Sequence, residues 1–162
     1  MKELILRVAF VQLFLIVVCY SLSAHLPDNI EVRTIGELQV ALRKANPGDM
    51  VLLEDGIYGG NKLLIPVKGT EANPVEIRAK NIGKAVFTMP VKMESEFVSL
   101  VGVGFAEQGN LEISGKNNRI SRCIWSDAKS GKWIRVLPGS SQIEIDHNLF
   151  ENKTNNREME RN

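Results

Sequence analysis

The sequence has 162 residues, of which 44% are hydrophobic, 24% charged and 6% aromatic, an ordinary globular composition with room for one domain and too little chain for a multidomain enzyme. Twenty Lys and Arg against nineteen Asp and Glu leave a formal charge of +1. That balance argues against a nucleic-acid partner gripped by a broadly basic surface.

Lys2 and Arg7, an almost unbroken apolar run at 8–20 and small residues at 21–24 form the pattern of a secretory signal, with cleavage expected at or near Ala24. Thirteen residues of helix at about 1.5 Å each reach roughly 20 Å, short of the ~30 Å of hydrocarbon a span must cross, so no membrane attachment is expected after cleavage. Val18 stands before Cys19, where a lipidation site wants a small residue, so no lipoprotein is expected. Removing the segment takes Lys2, Arg7 and Glu3 from the 20 basic and 19 acidic side chains, leaving 18 of each and no formal charge. Cys123 then stands alone, so no internal disulfide forms and stability rests on packing and backbone pairing. The expected product is secreted or periplasmic. The expected organisation is a signal at 1–24, one domain at 25–151 and a polar tail at 152–162.

Thr34 followed by Glu37 predicts a capping box. Leu38, Ala41, Leu42 and Ala45 then recur at helical spacing until Asn46, Pro47 and Gly48 stop them. Beyond this one helix come short runs of β-branched or large apolar residues at 50–53, 62–66, 75–79 and 85–87, bounded by Gly, Pro, Asn or Asp. Asp55 and Gly56 read as a turn.

The second half repeats itself. "VSLVGVGF" from Val98, "NRISRCIW" from Asn118 and "IEIDHNLF" from Ile143 each alternate apolar residues and close on an aromatic, Phe105, Trp125 and Phe150, with Phe87 ahead of them. A period near 20 to 25 residues, built of strands without helices between them, implies a solenoid whose strands pair in parallel from turn to turn. A leucine-rich repeat shares the period but not the leucine spacing. Asn117 and Asn118 suit the left-handed corner such a coil requires. The expected fold is all-β: a right-handed parallel β-helix of roughly four coils, with the first helix as its N-terminal cap.

Three stretches carry a resemblance to a known family: "LQVALRKANPGDMVLLEDGIYGGNKLLIP", "GTEANPVEIRAKNIGKAVFT" and "IEIDHNLFENKT". They resemble the opening coils of the family-6 polysaccharide lyases, the group of alginate lyases and chondroitinase B, from about residue 30 to 157. Asn152 stands where the family carries a glycine, and a further glycine after the second Asn is missing. The resemblance implies β-elimination on an acidic polysaccharide such as alginate or chondroitin and dermatan sulfate. In that chemistry calcium neutralises the uronate carboxylate, a lysine removes the adjacent ring proton and an arginine assists the leaving oxygen. The family draws its metal ligands, base and acid from later coils, so no residue here takes those roles by motif. The expectation is an N-terminal fragment, truncated on its C-terminal side and silent alone, with no cofactor of its own.

Local candidates stand beside that expectation. Glu144 and Asp146 alternate with Ile143 and Ile145, which puts both carboxylates on one outward strand face, fit for calcium or acid–base work; the plainer reading is a solvated face. His147 is a proton shuttle or a hydrogen-bonded corner residue. Lys153, which matches a lysine of the family motif, is the better candidate to bind a uronate, with Asn155 and Arg157 as weaker versions of the same idea. The expected substrate-binding set is therefore Lys153, Asn155 and His147. One Cys and so few His leave zinc without a ligand set. Trp125 occupies the repeated aromatic position and reads as core, Trp133 between Lys132 and Arg135 is open, and Cys123 reads as a buried apolar residue. Two rival readings remain: a non-catalytic secreted β-helix that binds glycan or serves as a scaffold, and a small lyase using Lys153 with Glu144 or Asp146. The oligomeric state is open.

Overall fold

A computed structural model of the chain describes residues 26–129 and 131–153; the expected signal and most of the tail lie outside them. The first elements are strand β1 (Asn29–Val32) and helix α1 (Ile35–Lys44). Thr34 starts the helix from extended backbone, its Oγ1 accepting the Glu37 N–H at 3.2 Å, while the Glu37 carboxylate turns back to accept the Arg33 N–H at 2.7 Å. The cap therefore forms, with its acidic arm one residue further back than the simplest version of the motif. Leu38, Ala41 and Leu42 are buried against the end of the coil stack. Behind the helix, the buried Asp49 accepts the N–H groups of Asp28 at 3.0 Å and Asn46 at 2.8 Å, tying both ends of the cap together.

Fourteen further strands follow: β2 (Met50–Leu53), β3 (Gly56–Tyr58), β4 (Leu63–Ile65), β5 (Val75–Ala79), β6 (Ala85–Phe87), β7 (Pro90–Glu96) and β8 (Val98–Val101), then β9 (Gly104–Glu107), β10 (Asn110–Lys116), β11 (Arg119–Ser121), β12 (Ile124–Ala128), β13 (Ile134–Val136), β14 (Glu144–Asp146) and β15 (Leu149–Glu151). They make three sheets, all pairing in parallel. The first runs β1-β2-β5-β8-β11-β14, the second β3-β6-β9-β12-β15 and the third β4-β7-β10-β13. One strand from each sheet per turn gives a parallel β-solenoid of about five turns, one more than the sequence period suggested.

The strands expected at 75–79 and 85–87 form over those residues, whereas Gly56, read as part of a turn, opens β3. Each eight-residue repeat proves to be two strands rather than one. The bend falls at Gly102, Arg122 and His147, whose φ angles of 70°, 55° and 54° stack as one column of left-handed corners. A second column, Phe97, Asn117 and Gln142, precedes the first sheet. At that corner Asn118 is buried, its amide donating to Ser95 O at 2.7 Å and its oxygen accepting the Val98 N–H at 3.1 Å. Gly115, at φ 101°, belongs to the same corner: a Cβ there would stand 2.0 Å from Ser95 O.

Alternation along each strand sends every second side chain inward, and parallel register puts like above like. Val51, Ile77, Leu100 and Ile120 form one inward column and Leu63, Val91 and Leu111 another, all buried. A third column is aromatic: Tyr58, Phe87, Phe105, Trp125 and Phe150. The Phe105 and Trp125 rings lie 4.5 Å apart and parallel to within 2°, and Trp125 and Phe150 follow at 5.0 Å. Each buried aromatic removes roughly 150–250 Å² from water, so this one column is a large share of the core. Ile145, expected in the core, points inward but is 41% exposed, because no described coil lies above it.

Candidate functional site

The candidates collect on the outer surface of the last two coils, where the register dictates who meets whom. In the first sheet Arg119 stands beside Glu144 and Ser121 beside Asp146. Arg119 reaches two residues along the neighbouring strand and forks onto Asp146, Nε to Oδ1 at 3.1 Å and Nη2 to Oδ2 at 2.6 Å, with Glu144 at 3.6 Å. His147 leaves the coil at its left-handed corner, exposed, with Nδ1 2.5 Å from Asp146 Oδ2. Hydrogen bonds from Arg119 and then His147 hold the Asp146 carboxyl well below the usual carboxylate range. Asp146 is therefore an anion already engaged on both oxygens.

That engagement decides what the pair of carboxylates can do. A calcium ion needs six or more oxygen ligands, and Asp146 offers none that is free of the guanidinium beside it. Among the described residues no group of three or more His, Cys, Asp and Glu side chains is placed to hold a metal ion. These residues do not fit the ion that the family resemblance implies. What the arrangement does supply is a fixed imidazole, held through Nδ1 and presenting Nε2 to solvent.

Lys153 belongs to a second cluster, separated from His147 by β15. Its Nζ donates to Gly131 O at 3.1 Å and stands 5.0 Å from the centre of the Trp133 ring. Trp133 is buried and faces Phe150 at 5.9 Å, so the open question about it resolves in favour of packing, with one side lent to a cation. Next to Trp133, a hollow of about 150 Å³ is lined by Asn110, Leu111, Glu112, Lys132 and Arg135. Arg135 also pairs with Glu112 across the coil junction. Lys153 thus stands over the indole, while Lys132 and Arg135, its neighbours in the chain, line the hollow. The sequence reading singled out Lys153 but not the other two; the signal was available, since Lys132 and Arg135 flank Trp133 in the chain.

Trp125 is fully buried, and burial pushes the Cys123 thiol up to about 12, which leaves it a neutral packing residue at ordinary pH. Asn155 and Arg157 lie outside the described residues. A larger hollow of about 490 Å³ lies between β1 and α1 at the capped end, far along the stack from these clusters.

With the geometry in place, comparison with known proteins is informative. The chondroitinase B family model matches residues 32–110. Among solved structures, the family-6 alginate lyase AlyGC superposes with a TM-score of 0.66 at 22% identity over 78% of this chain and 20% of that one. An alginate lyase from Paenibacillus sp. str. FPU-7 gives 0.61 at 20% identity over 75% of this chain and 44% of its own. A mannuronic-acid-specific family-6 lyase from human gut microbiota gives 0.59 at 22% identity over 78% and 34%. A search of curated proteins returns no match. Fold and matches define a parallel β-helix. Within that class the chain is similar to the N-terminal part of the family-6 lyases, and it spans 20% to 44% of the length of these three structures.

Proposed function

We propose that this chain forms the opening coils of a secreted polysaccharide-lyase β-helix and binds an acidic, uronate-containing polysaccharide without cleaving it. The observation that carries the reading is Lys153 held over the Trp133 ring, close to a hollow lined by Lys132 and Arg135, on the later coils of a lyase-type stack. Cations around such a hollow suit a carboxylated or sulfated sugar by attracting its charge. In the family this chain resembles, calcium-assisted β-elimination is carried by side chains on later coils. On this reading these residues orient and retain polymer, and no bond-breaking step is assigned to them. Secretion follows from the signal-like segment at 1–24; among the described residues no helix is long and apolar enough to cross a membrane.

The test is to titrate the purified chain with alginate and dermatan sulfate oligosaccharides, with calcium present, while following the absorbance of newly formed unsaturated uronate. Saturable binding, weakened several-fold by Lys153→Ala and by added salt, with no rise in absorbance, is the expected result. Sustained turnover would overturn the non-cleaving role. Failure to bind either polymer would remove the substrate assignment.

A further inference from the structure

The hollow beside Trp133 already holds a carboxylate of its own. Glu112 on β10 and Arg135 on β13 are register partners in the third sheet, both line the hollow, and they pair across the coil junction. The pair runs from one guanidinium nitrogen, Nη2, to one carboxylate oxygen, Oε1. At about 150 Å³ the hollow is well below the roughly 300–1,000 Å³ of a cavity that encloses a whole small molecule, so it takes a side group of a sugar and leaves the ring outside. In a uronate that side group is a carboxylate, the same chemical group that Glu112 already presents to Arg135.

We propose that Glu112 is a built-in competitor at this site: its carboxylate stands in for that of the polymer on Arg135, and a uronate binds by displacing it. The inference rests on the polysaccharide-binding reading above and adds what sets the affinity of that site. Two features make displacement easy. The Arg135 and Glu112 side chains are 49% and 29% exposed, and an ion pair this open to water is weak. Glu112 also has a second cation within lateral reach, because its register partner on the other side is Lys92 of β7, one coil below. Lys92 pairs with Glu94 on its own strand, and an ammonium has three donors, so it accommodates a second carboxylate.

A carboxylate shared between the coils on either side has a precedent in the same molecule, since Glu96 pairs with Lys68 below it and Lys116 above it. Once Glu112 swings toward Lys92, the guanidinium of Arg135 is open to two parallel hydrogen bonds from a ligand carboxylate, one more than Glu112 makes. Competition fixes the sign of the effect. Neutralising Glu112 tightens binding, whereas a Glu112 that merely held Arg135 in place would weaken binding when lost.

Isothermal titration of the full chain with alginate oligosaccharides at neutral pH tests the proposal, with circular dichroism to confirm that each variant keeps the parent fold. Glu112→Gln should lower the dissociation constant about 5-fold. Glu76→Gln, which removes a carboxylate from the ion pair with Arg78 and does not line the hollow, should change it by less than about 2-fold. In an Arg135→Ala background Glu112→Gln should bring no gain, because the group competed for is gone. Binding by Glu112→Gln where the parent shows none would support the proposal in its strongest form. Parent binding that depends on Lys153 while Glu112→Gln is unchanged, weaker, or matched by Glu76→Gln would overturn this inference and leave the proposed function standing. No binding by the parent or any variant would overturn both.

Discussion

Asn118 shows how much one side chain can hold in a coil stack. Buried at the corner between the third and first sheets, its amide satisfies a carbonyl of the coil below and its oxygen satisfies a backbone N–H of the next strand. Asn118→Ala strands both groups away from water, and unfolding in urea should show a loss of about 3 kcal/mol. Asp146 makes a different prediction, in pH. Its folded-state pKa is depressed, so the stability it adds is complete above the unfolded value near 4 and drains away as pH falls below that. The melting temperature of Asp146→Asn should therefore lie below that of the parent at neutral pH, and the gap should close as the solution is acidified below about pH 4. A gap that stayed constant into strong acid would mean that the Arg119 and His147 contacts contribute nothing through charge. Tyr58 titrates at the other extreme: burial, with Glu54 secondary, pushes its hydroxyl up to about 12, so its contribution fades only in strong alkali.

Among elements, the corners matter as much as the strands. A left-handed conformation costs an L-residue roughly 1–2 kcal/mol, which glycine avoids at a smaller entropic expense. Gly102, Arg122 and His147 occupy equivalent places in successive coils, and the first is already glycine. Arg122 is exposed, and the N–H it sends to Asp146 O is main-chain and survives substitution. Arg122→Gly is expected to stabilise the protein by up to about 1 kcal/mol, measured by chemical denaturation. Gly115→Ala should do the reverse, because its Cβ has no room against Ser95 O.

For the whole molecule, nearest-neighbour stacking makes stability a sum over coils and their junctions. The end under α1 is sealed, while the coil of β14 and β15 has a neighbour on one side only among the described residues. Amide hydrogen exchange should consequently be slowest in β5 and β8 and fastest in β13, β14 and β15. Uniform protection from β2 to β15 would contradict the graded picture.

How much of this was legible beforehand follows from the kind of force at work. The helix start at Thr34, the strands at 75–79 and 85–87 and the aromatic column were readable, because capping, alternation and a repeat near 20 to 25 residues are local or periodic properties of the chain. The strand pairs hidden inside each eight-residue repeat were not. Arg122 and His147 are ordinary residues driven into left-handed corners by the coils above and below, and nothing in their side chains announces it.

The site divides in the same way. Lys153, His147, Glu144 and Asp146 were identified from residue type and motif, but their partners come from other coils: Arg119 lies 27 residues before Asp146, and Gly131 lies 22 before Lys153. Sequence alone determined that the chain winds into stacked parallel coils, since periodic burial of apolar side chains permits little else. Only the tertiary structure decided which charges neutralise one another, because lateral neighbours in a solenoid are set by strand register, and register is established only when the coils close on each other.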